Sequence, residues 1–149
     1  MTESAGLLMF RTCPKVEIFL VHPGGPYWKN QDKWGIPKGQ VEENEEKLQA
    51  AIREFEEETS IKVQTKSFTY LGTAKTSTKI IHAWTFKFDF NGQIKSNKVE
   101  IEFNGKTIEI EEVDKGQYFT VEEARKKIHK SQIPILESFI KIYNQLEDK

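Results

Sequence analysis

The chain has 149 residues, of which 37% are hydrophobic, 30% charged and 11% aromatic, and its formal net charge is −1. That is an ordinary composition for a soluble globular protein long enough to bury a real core, and it leaves no global field to attract nucleic acid or an anionic membrane. A single cysteine, Cys13, excludes an internal disulfide and fits a reducing compartment. The opening MTESAGLLMF lacks a basic region followed by a long apolar run, and no apolar stretch approaches the length of a membrane span. The expectation is one cytoplasmic domain over residues 1–149.

Two apolar runs, AGLLMF and VEIFLVHP, flank RTCPK and read as paired strands. Residues 23–39, PGGPYWKNQDKWGIPKG, then hold four of the nine glycines, three of the five prolines and two of the three tryptophans. A long, rigidly punctuated connection with large aromatics points to function, although Trp28 and Trp34 equally suit the roof of a core. From Asn44, a good N-cap, the pattern turns helical. Leu48, Ile52, Phe55 and Thr59, with Ala51 beside them, predict an amphipathic helix over about 45–58. A β-rich middle follows. HAWTFKFDF alternates before the turn signal Asn91-Gly92, and VEIEF and KTIEIEEV flank a second signal, Asn104-Gly105. Thr120-Val-Glu-Glu123 has the form of a capping box and opens a short helix ending near Lys130. A last helix carries the stripe Leu136, Phe139, Ile140, Tyr143 and Leu146. Strands before, between and after helices predict an α/β fold, a mixed sheet covered on both faces.

The stretch REFEEETSI, residues 53–61, sets negative charge at the end of a helix, where the backbone dipole favours positive charge. Residues 45–58 hold six glutamates against one lysine and one arginine. Glu54, Glu57 and Glu58 stand at i, i+3 and i+4, on one face and apart from the Leu48, Ile52, Phe55 stripe. Repulsion between them and with the dipole costs roughly 1–3 kcal/mol if nothing neutralises it. Arg53 offsets part of this by reaching Glu56 or Glu57. A hard divalent cation offsets more, since Mg²⁺ takes carboxylate, water and phosphate oxygens. The competing reading is a solvated acidic face, with Glu56 on the surface in either case.

Spacing makes the signal specific. Gly39, five residues, Glu45, seven residues, Arg53-Glu54, and then Phe55-Glu56-Glu57-Glu58-Thr59-Ser60-Ile61 resembles the Nudix box, G-x5-E-x7-R-E-U-x-E-E-x-G-U, where U is a bulky apolar residue. Every fixed position matches except Ser60, which stands where the family has glycine. The preceding WGIPKG is similar to the approach common in the dinucleoside polyphosphate hydrolase branch. EEVDKGQYF is similar to the strand after the box, with an acidic residue six before an aromatic. The likeness covers most of residues 4–135, and the insert from Asn97 to Lys106 is less typical of it.

The resemblance implies a Nudix-type α/β/α sandwich with a central mixed sheet and flanking helices. It also implies Mg²⁺- or Mn²⁺-dependent cleavage of a phosphoanhydride in a nucleoside diphosphate linked to a group X, by water attack at phosphorus. Glu54, Glu57 and Glu58 would be the metal ligands, one of them also taking the proton of the water. Glu112 and the backbone carbonyl of Lys38 are further candidate ligands, and Glu112 has the alternative reading of an exposed strand carboxylate. Arg53 would steady a glutamate, and Gly39, Glu45 and Ser60 belong to the structural frame. The Lys38 side chain and Lys79 are the candidate phosphate contacts. Tyr27, Trp34 and Tyr118 are the candidate base-stacking aromatics, with core packing as the competing role. The expected partner is a small nucleotide, with no membrane and no nucleic acid. Diadenosine tetraphosphate leads, nucleoside triphosphates (oxidised ones included) come second, and a non-catalytic nucleotide sensor is the alternative from another class. The intact glutamates argue against the sensor. Serine at the box glycine would cost on the order of 1 kcal/mol in a left-handed conformation, so Ser60→Gly is expected to be neutral or stabilising.

Overall fold

A computed structural model describes residues 1–12 and 14–147, the last two of them as backbone only. Cys13 and the Leu146 side chain lie outside the described residues. Strands β1 (Thr2–Thr12) and β2 (Val16–Pro23) form the expected antiparallel pair, but only Phe10–Thr12 and Val16–Ile18 are in register. Beyond those pairs the two strands diverge, and residues 34–40 enter the gap. Gly35 pairs with Val21 through bonds of 2.8 and 3.0 Å, and the short strand β3 (Lys38–Gln40) pairs with Ser4–Gly6. The glycine- and proline-rich connection is thereby fixed as part of the sheet at Lys38 and Gly39.

The other edge of β1 runs parallel to β5 (Lys79–Lys87), which pairs in turn with β4 (Thr69–Lys75), while β2 pairs with β8 (Val113–Thr120). The path across the sheet is β4-β5-β1-β2-β8, with β1–β5 parallel and the other pairings antiparallel. Alternation along the strands loads both faces. Ala5, Leu7, Met9, Phe19 and Val21 pack under helix α1 (Lys47–Thr59), where Phe55 meets Phe86 edge to face at 5.4 Å. Leu8, Ile18, Leu20, Ile81 and Phe119 pack under α2 (Val121–Lys127) and α3 (Ile133–Glu147), which supply Ala124, Leu136 and Phe139. The result is an α/β/α sandwich around a mixed sheet, as expected. No helix among the described residues is long and apolar enough to cross a membrane.

Several local expectations change. Helix α1 starts at Lys47, because Asn44 takes φ 64° in the preceding turn and Glu46 holds the cap position without a side-chain cap bond. Asn91-Gly92 does not close a hairpin. Both edges of β5 are already taken by β4 and β1, so no returning strand can pair there. Asn104-Gly105 does close one: with φ of 53° and 77° it joins β6 (Lys98–Phe103) to β7 (Lys106–Glu111) as a separate two-stranded sheet. The insert at 97–106 is the first strand and turn of that hairpin. The Thr120–Glu123 capping box is present, with bonds of 2.9 and 3.2 Å, and α2 ends at Lys127, followed by a 3-10 turn over Lys130–Gln132.

Helix α1 ends on Ser60 in the left-handed conformation, φ 63° and ψ 14°, its N–H donating to Glu56 O at 2.8 Å. The serine hydroxyl also donates to Lys95 O at 2.6 Å, a bond glycine could not make. Left-handed strain of about 1 kcal/mol and a hydrogen bond contributing about 1 kcal/mol nearly cancel. Ser60→Gly should leave the urea midpoint almost unchanged, whereas Ser60→Ala, which keeps the strain and loses the bond, should lower stability by about 1 kcal/mol; an unchanged Ser60→Ala with a stabilised Ser60→Gly would show that the hydroxyl contributes nothing.

Candidate active site

Arg53 organises the residues around the helix. Its Nε and Nη2 donate to Glu45 at 2.8 and 3.1 Å, and Nη2 also donates to Gln40 O at 3.0 Å. Nη1 donates to Glu54 at 2.8 Å and to Glu57 at 3.3 and 3.4 Å. Glu45 in turn accepts from Glu42 N–H at 3.0 Å, so one guanidinium ties the loop after β3 to two turns of α1. Its bonds to Glu45 above all hold the Arg53 pKa above the usual arginine value. Gly39 is glycine for a steric reason: a Cβ there would lie 2.0 Å from Glu54 Cδ. The Glu54 carboxylate rests on bare backbone.

Glu54, Glu58 and Glu112 converge, each offering a carboxylate oxygen within 4.8 Å of the others. Two of the three are buried, Glu54 at 8% exposure and Glu58 at 3%, on the side of α1 that also buries Phe55. The acidic face is therefore not separate from the packing face; it is continuous with it. Glu58 Oε2 is buried with no hydrogen-bond partner among the described residues. Burial pushes the Glu58 carboxyl well above the usual carboxylate range, Glu112 and Glu54 push it further, and Lys38 opposes them. Burial raises Glu54 as well, against the pull of Arg53. Glu57 stands outside this group, more exposed and turned to Arg53. Glu56 is not idle at the surface, since its Oε2 accepts the Val63 N–H at 2.8 Å and shapes the turn after the helix.

Glu58 and Glu112 line a cleft of about 440 Å³ together with Lys33, Lys38, Lys79, Trp28, Trp34 and Gln132, among others. Lys38 lies deep in it, its pKa lowered by burial and then by Lys79, while Glu58, Glu112 and Glu54 support its charge. The three candidate stacking aromatics lie in three different settings. Tyr118 is absent from the cleft lining: its hydroxyl bridges Phe88 O and Phe90 N–H, and its ring carries Arg11 at 3.8 Å. Tyr27 packs edge-on against Phe103 at 5.4 Å and donates to Glu102 O. Trp34 reaches the cleft but is 6% exposed, its indole N–H on Asp32 and its ring against His22 and Phe119, so it is chiefly core. Trp28, half-buried in the lining, is the tryptophan with room for a ligand.

Three contributors carried no signal in the sequence. Gln132 is buried, its Oε1 accepts from Ile36 N–H at 2.9 Å, and that bond fixes the amide against the cleft wall. His22 is buried between Asp114 at 2.8 Å and Gln31 O at 2.6 Å, pinning the loop that carries Trp28 and Lys33. Asn97 donates to Glu112 at 2.9 Å. None belongs to a periodic pattern or a spaced motif.

The model of the NUDIX domain matches residues 2–139. The chain belongs to the Nudix family. No curated protein matches it in sequence. Among solved structures, a Caenorhabditis elegans Ap4A hydrolase in a binary complex superposes with a TM-score of 0.70 at 21% identity, covering 97% of this chain and 99% of that one. The NUDIX domain of Shewanella oneidensis NrtR, complexed with ADP ribose, gives 0.69 at 14% identity over 96% and 88%. The Escherichia coli ORF135 protein gives 0.64 at 24% identity over 96% and 91%. At these identities the structural likeness speaks for the fold, and the family match makes the protein a hydrolase acting on phosphorus anhydrides.

Nudix hydrolases work with a divalent metal ion, and the residues here suit one. A buried carboxylate oxygen without a donor, beside two further carboxylates, is what a hard cation requires and what a folded chain otherwise avoids. The cost has a sign that can be measured. A folded-state pKa raised above the unfolded value gives stability that is complete below the ordinary glutamate pKa and is lost as pH rises through the raised value. In chelator, Glu58→Gln should therefore melt higher than the parent at neutral pH, by about 2–4 °C for each kcal/mol relieved. The gap should close as pH falls into the ordinary carboxylate range. Scanning calorimetry across pH checks this, and a variant melting lower at neutral pH would contradict it.

Proposed function

We propose that the protein is a Mg²⁺-dependent pyrophosphohydrolase of nucleoside diphosphate-X compounds, with Mn²⁺ able to substitute, and that its substrate is a dinucleoside polyphosphate such as diadenosine tetraphosphate. The observation that carries this reading is one cleft that joins the carboxylate cluster, through Glu58 and Glu112, to Lys33, Lys38, Lys79 and Trp28. Lys38 and Lys79 repel one another there, and an anionic phosphate chain relieves that repulsion. Trp28 offers a surface for a base. WGIPKG and the likeness to the Caenorhabditis elegans Ap4A hydrolase over nearly the whole of both chains favour the dinucleotide branch.

In this reading Glu54, Glu58 and Glu112 hold the cation, with the Lys38 carbonyl as a further ligand. Glu57, held with Glu54 by Arg53, lies beside that trio and not in it. The bound cation would neutralise phosphate charge and acidify water. The chain's own part is to orient the phosphates with Lys38 and Lys79 and to accept the water's proton on a cluster carboxylate. A P–O bond to the water oxygen forms, and the bridging P–O bond breaks toward the leaving phosphate. Nucleoside triphosphates, which the same cleft lysines and carboxylates could also bind, remain the second reading.

A Mg²⁺-dependent screen of dinucleoside polyphosphates, nucleoside triphosphates, nucleotide sugars and ADP-ribose, with products identified, decides between them. The expected result is ATP plus AMP from diadenosine tetraphosphate, with Glu57→Gln lowering kcat by at least about 10²-fold. Hydrolysis confined to triphosphates would move the assignment to the second reading. Tight binding without turnover, unchanged by Glu57→Gln, would make the protein a sensor.

A further inference from the structure

The hairpin β6–β7 lies outside the main sheet, yet both of its ends close on the carboxylate cluster. Asn97 and Glu112 are the residues that flank it. Glu112 N–H donates to Asn97 O at 3.0 Å, and the Asn97 side-chain amide donates to Glu112 Oε1 at 2.9 Å. The Asn97 N–H donates to Glu57 O at 2.9 Å, which joins the same residue to the last turn of α1. On its inner face the hairpin meets the rim of the cleft. Tyr27 donates to Glu102 O at 2.8 Å, a Cβ on Gly25 would come within 2.6 Å of Ile110, and Gly24 N–H donates to Glu112 O at 2.9 Å.

Glu112 faces Glu54 and Glu58, and like charges at this range drive a free carboxylate away. An untethered Glu112 would turn toward water. A side-chain amide is suited to hold it, because it donates a hydrogen bond without adding a charge that would cancel the site's own. Lysine or arginine would neutralise the carboxylate, and aspartate would repel it.

We propose that Asn97 is a positioning residue, its amide fixing Glu112 as the third carboxylate of the cluster, and that the β6–β7 hairpin couples this group to the cleft loop at 24–28. The proposal rests on the reading of the cluster as a divalent-cation site. It accounts for the placement of the insert, whose closing pair is the pair that sets the cluster's geometry.

The test is a Mn²⁺ titration of the full chain by calorimetry, on the parent, Asn97→Ala, Glu112→Gln and the double variant. Melting curves in chelator check that each is folded. Asn97→Ser, which also keeps the backbone bonds, replaces alanine should that variant not fold. Loss of an outer partner of a metal ligand weakens metal binding by about 10–100-fold, and Asn97→Ala should fall in that range. In the Glu112→Gln background the same change should have no further effect, whereas a residue that merely supports the fold weakens binding equally in both. Turnover should drop in kcat at saturating Mn²⁺ and leave KM within about twofold. Equal Mn²⁺ affinity in the parent and Asn97→Ala, or equal losses in both backgrounds, overturns the proposal while the cation site stands. No Mn²⁺ uptake by the parent overturns the reading of the cluster and this proposal with it.

Discussion

Carboxylates at the packing interface between helix and sheet set the terms for the rest of this molecule. Glu54 and Glu58 are buried on the same side of α1 as Phe55, and Glu58 leaves one oxygen without a partner. An ionised carboxylate in that position costs several kcal/mol unless it is paired or neutralised. The Phe55–Phe86 contact, the apolar stripe and the sheet beneath carry that burden. The site is thus preorganised by the hydrophobic core, and a ligand that neutralises it also stabilises the fold.

Preorganisation is reached from three directions. Arg53 gathers Glu45, Glu54 and Glu57 from the helix and the loop before it. The divergence of β1 and β2 admits residues 34–40 as an inlaid strand, so Gly39 lies flat under Glu54 and Lys38 faces the acids from the cleft. From the far side, β8 begins just after Glu112, and the Asn97 bonds bring that residue to the end of α1. Helix α1 and strand β3 supply Glu54, Glu58 and Lys38, and Glu112 sits in the bend between β7 and β8, which favours precise placement of the reacting atoms.

Much of this was legible in the residues. β1 and β2 read as apolar runs and are buried on both faces, β6 and β7 alternate with period two, and the Thr120–Glu123 box and the Asn104-Gly105 turn carry their own stereochemistry. The spacing from Gly39 to Ile61 pointed to Glu54, Glu57 and Glu58, which i, i+3 and i+4 place on one helix face, and the structure brings Glu54 and Glu58 together with Glu112. What it could not show is long-range. Glu57 is on a neighbouring position of the same helix, and only the packing angle of α1 decides that Arg53, and not the cluster, meets it. Tyr118 and Tyr27 offered two roles, and what the sequence could not show is that the 88–90 segment meets the first and the insert hairpin the second. Asn91-Gly92 had a hairpin's local chemistry and lost to sheet order, which no short window contains. Gln132, His22 and Asn97 act through partners distant in the chain, 96, 92 and 15 residues away.

The central claim is that the buried carboxylates exist to hold a cation. A crystal structure of the protein saturated with Mn²⁺, with anomalous differences collected at the manganese edge, tests it most directly. The account predicts a manganese peak ligated by Glu54, Glu58 and Glu112. A peak elsewhere on the surface, or none at a concentration that supports turnover, would contradict it.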